Sequence, residues 1–211
     1  GLIIPIGEWC LRTACQQLHT WHQAGFEDLR MGVNISFRQL QGGRDPHYMP
    51  NFVQSLLAEV GLPAQALELE ITETMPVPPS EDNLGVLRQL KSLGVHLALD
   101  DFGITSSLTA LKQFPIDTLK IDRSFVQDIT NSATDAVIID AVISMAHGMN
   151  LNVIAEGVEI EDHLTWLQTR RCDEMQGYLF SPPLPADEFT ELLEQGRSLN
   201  VTEANPMLLV S

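Results

Sequence analysis

Residues 66–71 read Ala66-Leu67-Glu68-Leu69-Glu70-Ile71, and residues 118–122 read Thr118-Leu119-Lys120-Ile121-Asp122. From Leu67 in the first stretch and throughout the second, apolar and polar side chains alternate, which is the two-residue period of a β-strand. Carboxylates or a lysine line one face and aliphatic side chains the other. Charged groups on a covered strand face are tolerated only when they are paired or bind a metal. The pattern therefore predicts a sheet with an apolar side packed under helices and a polar side that does chemistry.

Outward from these two stretches, helical and strand periods alternate along the whole chain. Trp9, Leu11, Ala14, Leu18 and Trp21 predict a helix over 6–24, with Gly25 as its stop. A strand at 30–35, a helix at 50–60 closed by Gly61, a helix at 81–93 before Gly94 and a strand at 95–99 follow. The second half repeats the scheme: helix 108–113, helix 132–149, strand 152–155, helix 161–170, a short strand at 174–175 and a helix over 186–195. Such alternation implies right-handed crossovers and a parallel sheet. Six units suit either an open doubly wound sheet or most of a (β/α)₈ barrel. No glycine-rich phosphate fingerprint follows the first strand, which weakens the first option. Six strands are too few for a closed barrel of about 250 residues, so the pattern by itself leaves the topology open.

Where polar residues fall is more telling. Asn34, Glu70, the pair Asp100-Asp101, Lys120 and Glu156 stand at or near five successive strand ends. In parallel α/β folds the C-terminal strand ends converge on the face that carries active sites. Oxygen donors of this kind suit a hard cation, Mg²⁺ or Mn²⁺ with Ca²⁺ as an inhibitory substitute, rather than zinc. Two adjacent aspartates can serve two ions, and a two-metal site stabilises both the attacking and the leaving oxygen of a phosphoryl group. Lys120 can hold the nucleophile or neutralise developing charge. Each residue also has a plainer reading by itself: a turn former at Asn34, a solvated lysine at Lys120, a loop carboxylate at Glu156.

Composition bounds the remaining possibilities. The 211 residues are 44% hydrophobic and 19% charged, which is ordinary for one soluble domain. No apolar run reaches the roughly 18 residues of a membrane helix. A net charge of −16 argues against coating nucleic acid, which needs a basic stripe. It leaves room for a small phosphate ligand whose charge is met by bound cations. Cys10, Cys15 and Cys172 have no metal-ligand spacing; Cys10 and Cys15 lie in an apolar helical pattern, so buried thiols in a reducing, cytoplasmic compartment are expected.

Several segments together resemble the EAL domain family of bacterial cyclic di-GMP phosphodiesterases: LIIPIGEWCL from Leu2, GVNIS, LELEITET, GVHLALDDFG, IDTLKIDRSF, VIAEGVE and QGYLFSPPLP. The resemblance extends to about Leu193. It implies a TIM-like (β/α) barrel that is incomplete, with about six parallel strands present and the first two family strands missing. The phosphodiesterase domain, truncated at its N-terminus, is expected over 1–195, and a C-terminal tail over 196–211. The implied reaction is metal-dependent hydrolysis of cyclic di-GMP to linear pGpG in second-messenger signalling. Asn34, Glu70 and Asp100 match metal ligands, Asp101 and Glu156 complete the second ion's site, and Lys120 matches the lysine beside the nucleophilic water. Lys120, Glu156 and Asp101 are thus the implied catalytic set. Glu159 and Gln176 resemble ligand-orienting positions, Asp122 more weakly, and Glu73 matches the glutamate that anchors the loop after the aspartate pair. The family also implies a homodimer and, upstream, sensory or cyclase-like domains.

Two departures from the family pattern matter. The Glu-Ala-Leu motif, with its metal-binding glutamate, is absent from this sequence, so the chain by itself is expected to bind metal poorly and to be inactive. The usual Gly-Thr-Gly-Tyr/Phe-Ser-Ser loop reads Gly103-Ile104-Thr105-Ser106-Ser107, one residue shorter, and β-branched Ile104 resists a positive φ. A degenerate cyclic di-GMP receptor without turnover is therefore the alternative reading, and a non-binding signalling module a third.

Overall fold

Helix α1 (Ile3–Gln23) is one-sided because its apolar residues recur every third or fourth position: Leu11, Cys15, Leu18 and Trp21 are buried. Strand β1 (Met31–Ile35), short helix α2 (Phe37–Leu40) and α3 (Tyr48–Val60) follow. Helix α3 stops where Gly61 adopts a φ of 76° and its N–H donates to the Leu57 carbonyl at 2.9 Å. Then come β2 (Leu67–Thr72), α4 (Glu81–Ser92), β3 (His96–Phe102), α5 (Leu108–Gln113), β4 (Thr118–Ile121) and α6 (Arg123–Val126). The chain continues through α7 (Ala133–Gly148), β5 (Asn152–Glu156), α8 (Glu161–Thr169), β6 (Glu174–Gln176) and α9 (Ala186–Glu194). This computed structural model describes residues 2–40, 45–72, 81–103 and 108–196. Glu73, the loop at 104–107 and the tail at 197–211 lie outside the described residues.

The architecture is α/β with parallel strands. Among the described residues there are six strands, and their order in the sheet is their order in the chain. Two units are distinguished: residues 1–100 with 105–117, and residues 101–104 with 118–211. In the first, β1, β2 and β3 pair in parallel, with Asn34 beside Glu70, Glu70 beside Ala98 and Thr72 beside Asp100. In the second, β4, β5 and β6 pair in parallel, with Lys120 beside Ile154, Ile154 beside Glu174 and Glu156 beside Gln176.

In each unit the sheet has one apolar face. Leu67, Leu69, Ile71, Leu97 and Leu99 form it in the first unit, and Leu119, Ile121, Val153, Ala155 and Met175 in the second; all are buried. The expected strands and long helices are present. Strand β3 runs past its expected end at Leu99, so the aspartate pair lies inside a strand rather than after it. Helices α2 and α6 were not expected, since four residues are too few to display a helical period.

The same fastening occurs once in each unit. Asp117, just before β4, accepts from the Leu97 backbone N–H at 2.9 Å and from Lys91 Nζ. Asp173, just before β6, accepts from the Val153 N–H at 2.8 Å and bonds His147 Nε2 at 2.8 Å. A carboxylate ahead of one strand thus ties down the start of its neighbour and takes a basic side chain from a helix end. These contacts lie at the strand ends opposite the polar termini.

Cysteine burial differs along α1. Cys15 is buried, but Cys10 is only half-buried, contrary to expectation, because it lies off the packed face. Burial pushes the Cys15 thiol up to about 11 and the Cys172 thiol up to about 12. Both lie above the ordinary thiol value of 9.0, so the stability these thiols lend is full below that pH and is lost as pH rises through the folded values. A thiol reagent at pH 8 is expected to modify Cys10 alone in the native protein and all three cysteines in denaturant; native-state modification of Cys172, read by peptide mass spectrometry, would contradict this burial.

Candidate active site

Register determines which side chains share a face, since directly paired residues of parallel strands point the same way. In the first unit Asn34 and Glu70 are such a pair. The Asn34 amide Nδ2 donates to Glu70 Oε2 at 3.1 Å, so the amide oxygen, the atom a hard cation takes, is not spent on this bond. Asp100 is paired with Thr72, two residues beyond Glu70, and so belongs to the same face. Glu70 and Asp100 are both buried. Glu68 lies deeper on this face, 3.5 Å from Arg30 Nη1.

The second unit gathers a cation and carboxylates. Lys120 is 3% exposed and its Nζ is 2.7 Å from Glu156 Oε1. Strict alternation would turn Asp101 to the apolar side with Leu99. Its φ of 58° breaks the alternation, a left-handed conformation that aspartate tolerates better than most residues. Asp101 and Glu156 thereby present carboxylate oxygens within 4.8 Å of one another, and Asp100 follows as the third carboxylate on the adjoining peptide. The Asp122 N–H donates to the Phe102 carbonyl at 3.3 Å, tying the end of β3 to the end of β4.

The remaining expected residues are placed as follows. Gln176 is paired with Glu156 and shares its face. The Asp122 carboxylate caps α6 by accepting from the Ser124 N–H at 2.9 Å and from the Ser124 hydroxyl, a structural task that orients the segment after Lys120. Glu159 is exposed and accepts from Gln127 Nε2 at 3.5 Å, so its recorded partner is outside the set. Two residues of the polar faces escaped the sequence reading. Glu174 shares the face of Lys120 through Ile154, a placement visible only once the register of the three-residue strand is known. Gly32 is the other: an ideal Cβ there would meet Glu70 Oε1 at 2.5 Å.

The donor chemistry is uniform. Carboxylates with one amide in the first unit, and carboxylates beside a buried ammonium in the second, suit divalent oxygen-seeking cations.

The chain belongs to the EAL domain family, which matches residues 1–183. Cyclic di-GMP phosphodiesterase NbdA of Pseudomonas aeruginosa is 42% identical over 198 residues, covering 93% of this chain and 25% of that protein. Among solved structures, the PaMucR phosphodiesterase in complex with c-di-GMP is 36% identical with a TM-score of 0.81, over 90% of this chain and 75% of that one. The manganese and cyclic di-GMP complex of Klebsiella pneumoniae BlrP1 is 28% identical with a TM-score of 0.74, over 85% of this chain and 45% of that one. These likenesses resolve the topology that alternation left open: the six parallel strands are those of the TIM-like EAL barrel. The chain spans 28%, 24% and 25% of three curated relatives it matches. Among the described residues no helix is long and apolar enough to cross a membrane.

Proposed function

We propose that the protein hydrolyses cyclic di-GMP to linear pGpG. The observation that carries this reading is the buried Lys120–Glu156 pair at 2.7 Å beside the Asp101 carboxylate. A structural lysine would sooner be solvated; one enclosed with carboxylates is an arrangement that phosphoryl chemistry uses.

In this reading Asn34, Glu70 and Asp100 would hold one cation, and Asp101 and Glu156 would complete the place of a second. The chemistry a divalent ion supplies there when bound is activation of a water and neutralisation of phosphodiester charge. Lys120 holds the attacking water's oxygen through its ammonium protons and meets the charge that develops on the phosphoryl group. Glu156 fixes the lysine. Gln176 shares its face and orients the ligand, with Asp122 and Glu159 in supporting positions. Mg²⁺ or Mn²⁺ is the supporting ion, and Ca²⁺, larger and less demanding in geometry, inhibits. The 211-residue chain by itself has negligible turnover, since the glutamate of the Glu-Ala-Leu motif is not among its residues. The enzyme works in the cytoplasm, under sensory or cyclase-like domains elsewhere in the full-length protein.

The test is incubation of the full-length protein with cyclic di-GMP and Mg²⁺ or Mn²⁺, with chromatography of the products. Metal-dependent pGpG is expected, abolished by chelator and by Ca²⁺. Tight binding without product would favour the receptor reading, and neither binding nor product would overturn both.

A second copy of the chain is the proposed partner, through α7. One stripe of that helix leaves Val137 70% and Ile138 39% exposed, with Ala141 exposed beside them. In a chain of net charge −16, two copies meet most easily across such an uncharged stripe. Val137→Glu is expected to convert a dimer to a monomer in analytical ultracentrifugation; a monomeric wild type would overturn the pairing.

A further inference from the structure

We infer that Gly32 is a positioning residue for the Glu70 carboxylate, an inference that rests on the metal-site reading above. Gly32 is the second residue of β1, where glycine weakens a strand and packs nothing. Its φ is not in the left-handed region, so the backbone does not require glycine there. Space does. An ideal Cβ at Gly32 would stand 2.5 Å from Glu70 Oε1, 3.2 Å from Cδ and 3.8 Å from Cγ. The carboxylate therefore lies over the bare Cα of Gly32, while its other oxygen accepts from Asn34 Nδ2 at 3.1 Å.

Glycine on one side and the amide on the other define one seat for this carboxylate. Gly32 is paired with Glu68 and Asn34 with Glu70, so all four residues share the polar face. A side chain at 32 requires the end of the Glu70 side chain to shift from this seat, where its other oxygen accepts from Asn34. Glu70 is buried, which limits where a displaced carboxylate can go. The change would reach the ion through both Glu70 and Asn34, although Gly32 itself has no ligand atom.

The test uses the full-length protein and its Gly32→Ala variant, with Mn²⁺ binding read from the electron paramagnetic resonance of free Mn²⁺ and thermal melting read without metal. Metal affinity is expected to fall about tenfold or more, as when a partner of a ligand is lost. Melting of the metal-free variant should be unchanged or higher, because alanine suits a strand better than glycine. Adding Glu70→Asp, which shortens the crowded side chain, should cost less in the Gly32→Ala background than in wild type. Wild-type Mn²⁺ affinity in Gly32→Ala overturns the inference and leaves the metal site standing. A lower melting temperature with unchanged affinity assigns Gly32 a merely structural role and also overturns it. If the wild type binds no Mn²⁺, the metal-site reading fails and the inference with it.

Discussion

Lys120→Met in the full-length protein is expected to lower turnover of cyclic di-GMP by about 10²–10³-fold, the usual loss when one preorganised donor to developing charge is removed. Methionine keeps most of the length and the apolar stem but not the ammonium. The effect should be large because Lys120 is 3% exposed, and no water or flexible side chain can easily take its place. The same change leaves Glu156, 2.7 Å away, without its cation. Removing one partner of a covered pair costs about 1–3 kcal/mol of stability. Steady-state kinetics with saturating Mn²⁺ separates the two consequences: the loss should fall on kcat, whereas a lysine that only holds the fold would lower the amount of active enzyme without changing kcat per folded molecule. Turnover within about threefold of wild type would remove Lys120 from the chemistry, since a lost donor is worth far more.

The second large effect is on the fold itself. Gly177→Ala is expected to destabilise by about 3–5 kcal/mol, a large share of the 5–15 kcal/mol that holds a typical domain together. An ideal Cβ at Gly177 would meet the Val158 carbonyl oxygen at 2.1 Å, its nitrogen at 2.4 Å and its carbonyl carbon at 2.6 Å. These are backbone atoms, which cannot rotate aside as a flexible side chain could. The segments after β5 and β6 must part, stretching the bonds from Val158 N–H to the Gln176 carbonyl at 2.9 Å and from Leu179 N–H to the Val158 carbonyl at 3.0 Å. Both segments carry site residues, Glu156 and Gln176, immediately before the clash, so activity should fall with stability. Gly85→Ala is the control: nothing lies within 4 Å of its ideal Cβ, and the helix should gain up to about 1 kcal/mol. Urea unfolding of both variants decides, and a Gly177→Ala midpoint equal to wild type would mean that these two segments are not packed as described.

How much of this was legible in the sequence depends on the length over which each signal repeats. Strands β2 and β4 were readable because Leu67-Glu68-Leu69-Glu70 and Thr118-Leu119-Lys120-Ile121 alternate over several residues, and the structure keeps their two faces as expected. The pairing of Asn34 with Glu70 and of Lys120 with Glu156 followed from strand ends lying side by side in a parallel sheet. The turn of Asp101 toward Glu156 followed from the family resemblance alone, since it depends on one backbone angle of 58° that alternation would not suggest. Gly32 and Gly177 were illegible. Their importance is the space they leave for Glu70 and for the Val158 peptide, partners 38 and 19 positions away in sequence. Asp117 and Asp173 could have been noticed, because each stands directly before a strand in otherwise different surroundings. Their acceptor role, however, is set by the neighbouring strand.

The most direct test of the central claim is anomalous diffraction at the manganese edge from crystals of the full-length protein grown with Mn²⁺ and cyclic di-GMP. Expected are manganese peaks within roughly 2.0–2.6 Å of Asn34, Glu70 and Asp100 oxygens and of Asp101 and Glu156 oxygens, with a ligand phosphate beside Lys120. Ordered cyclic di-GMP with manganese bound elsewhere, or with these residues turned away from it, would contradict the claim that these polar strand ends hold the metal.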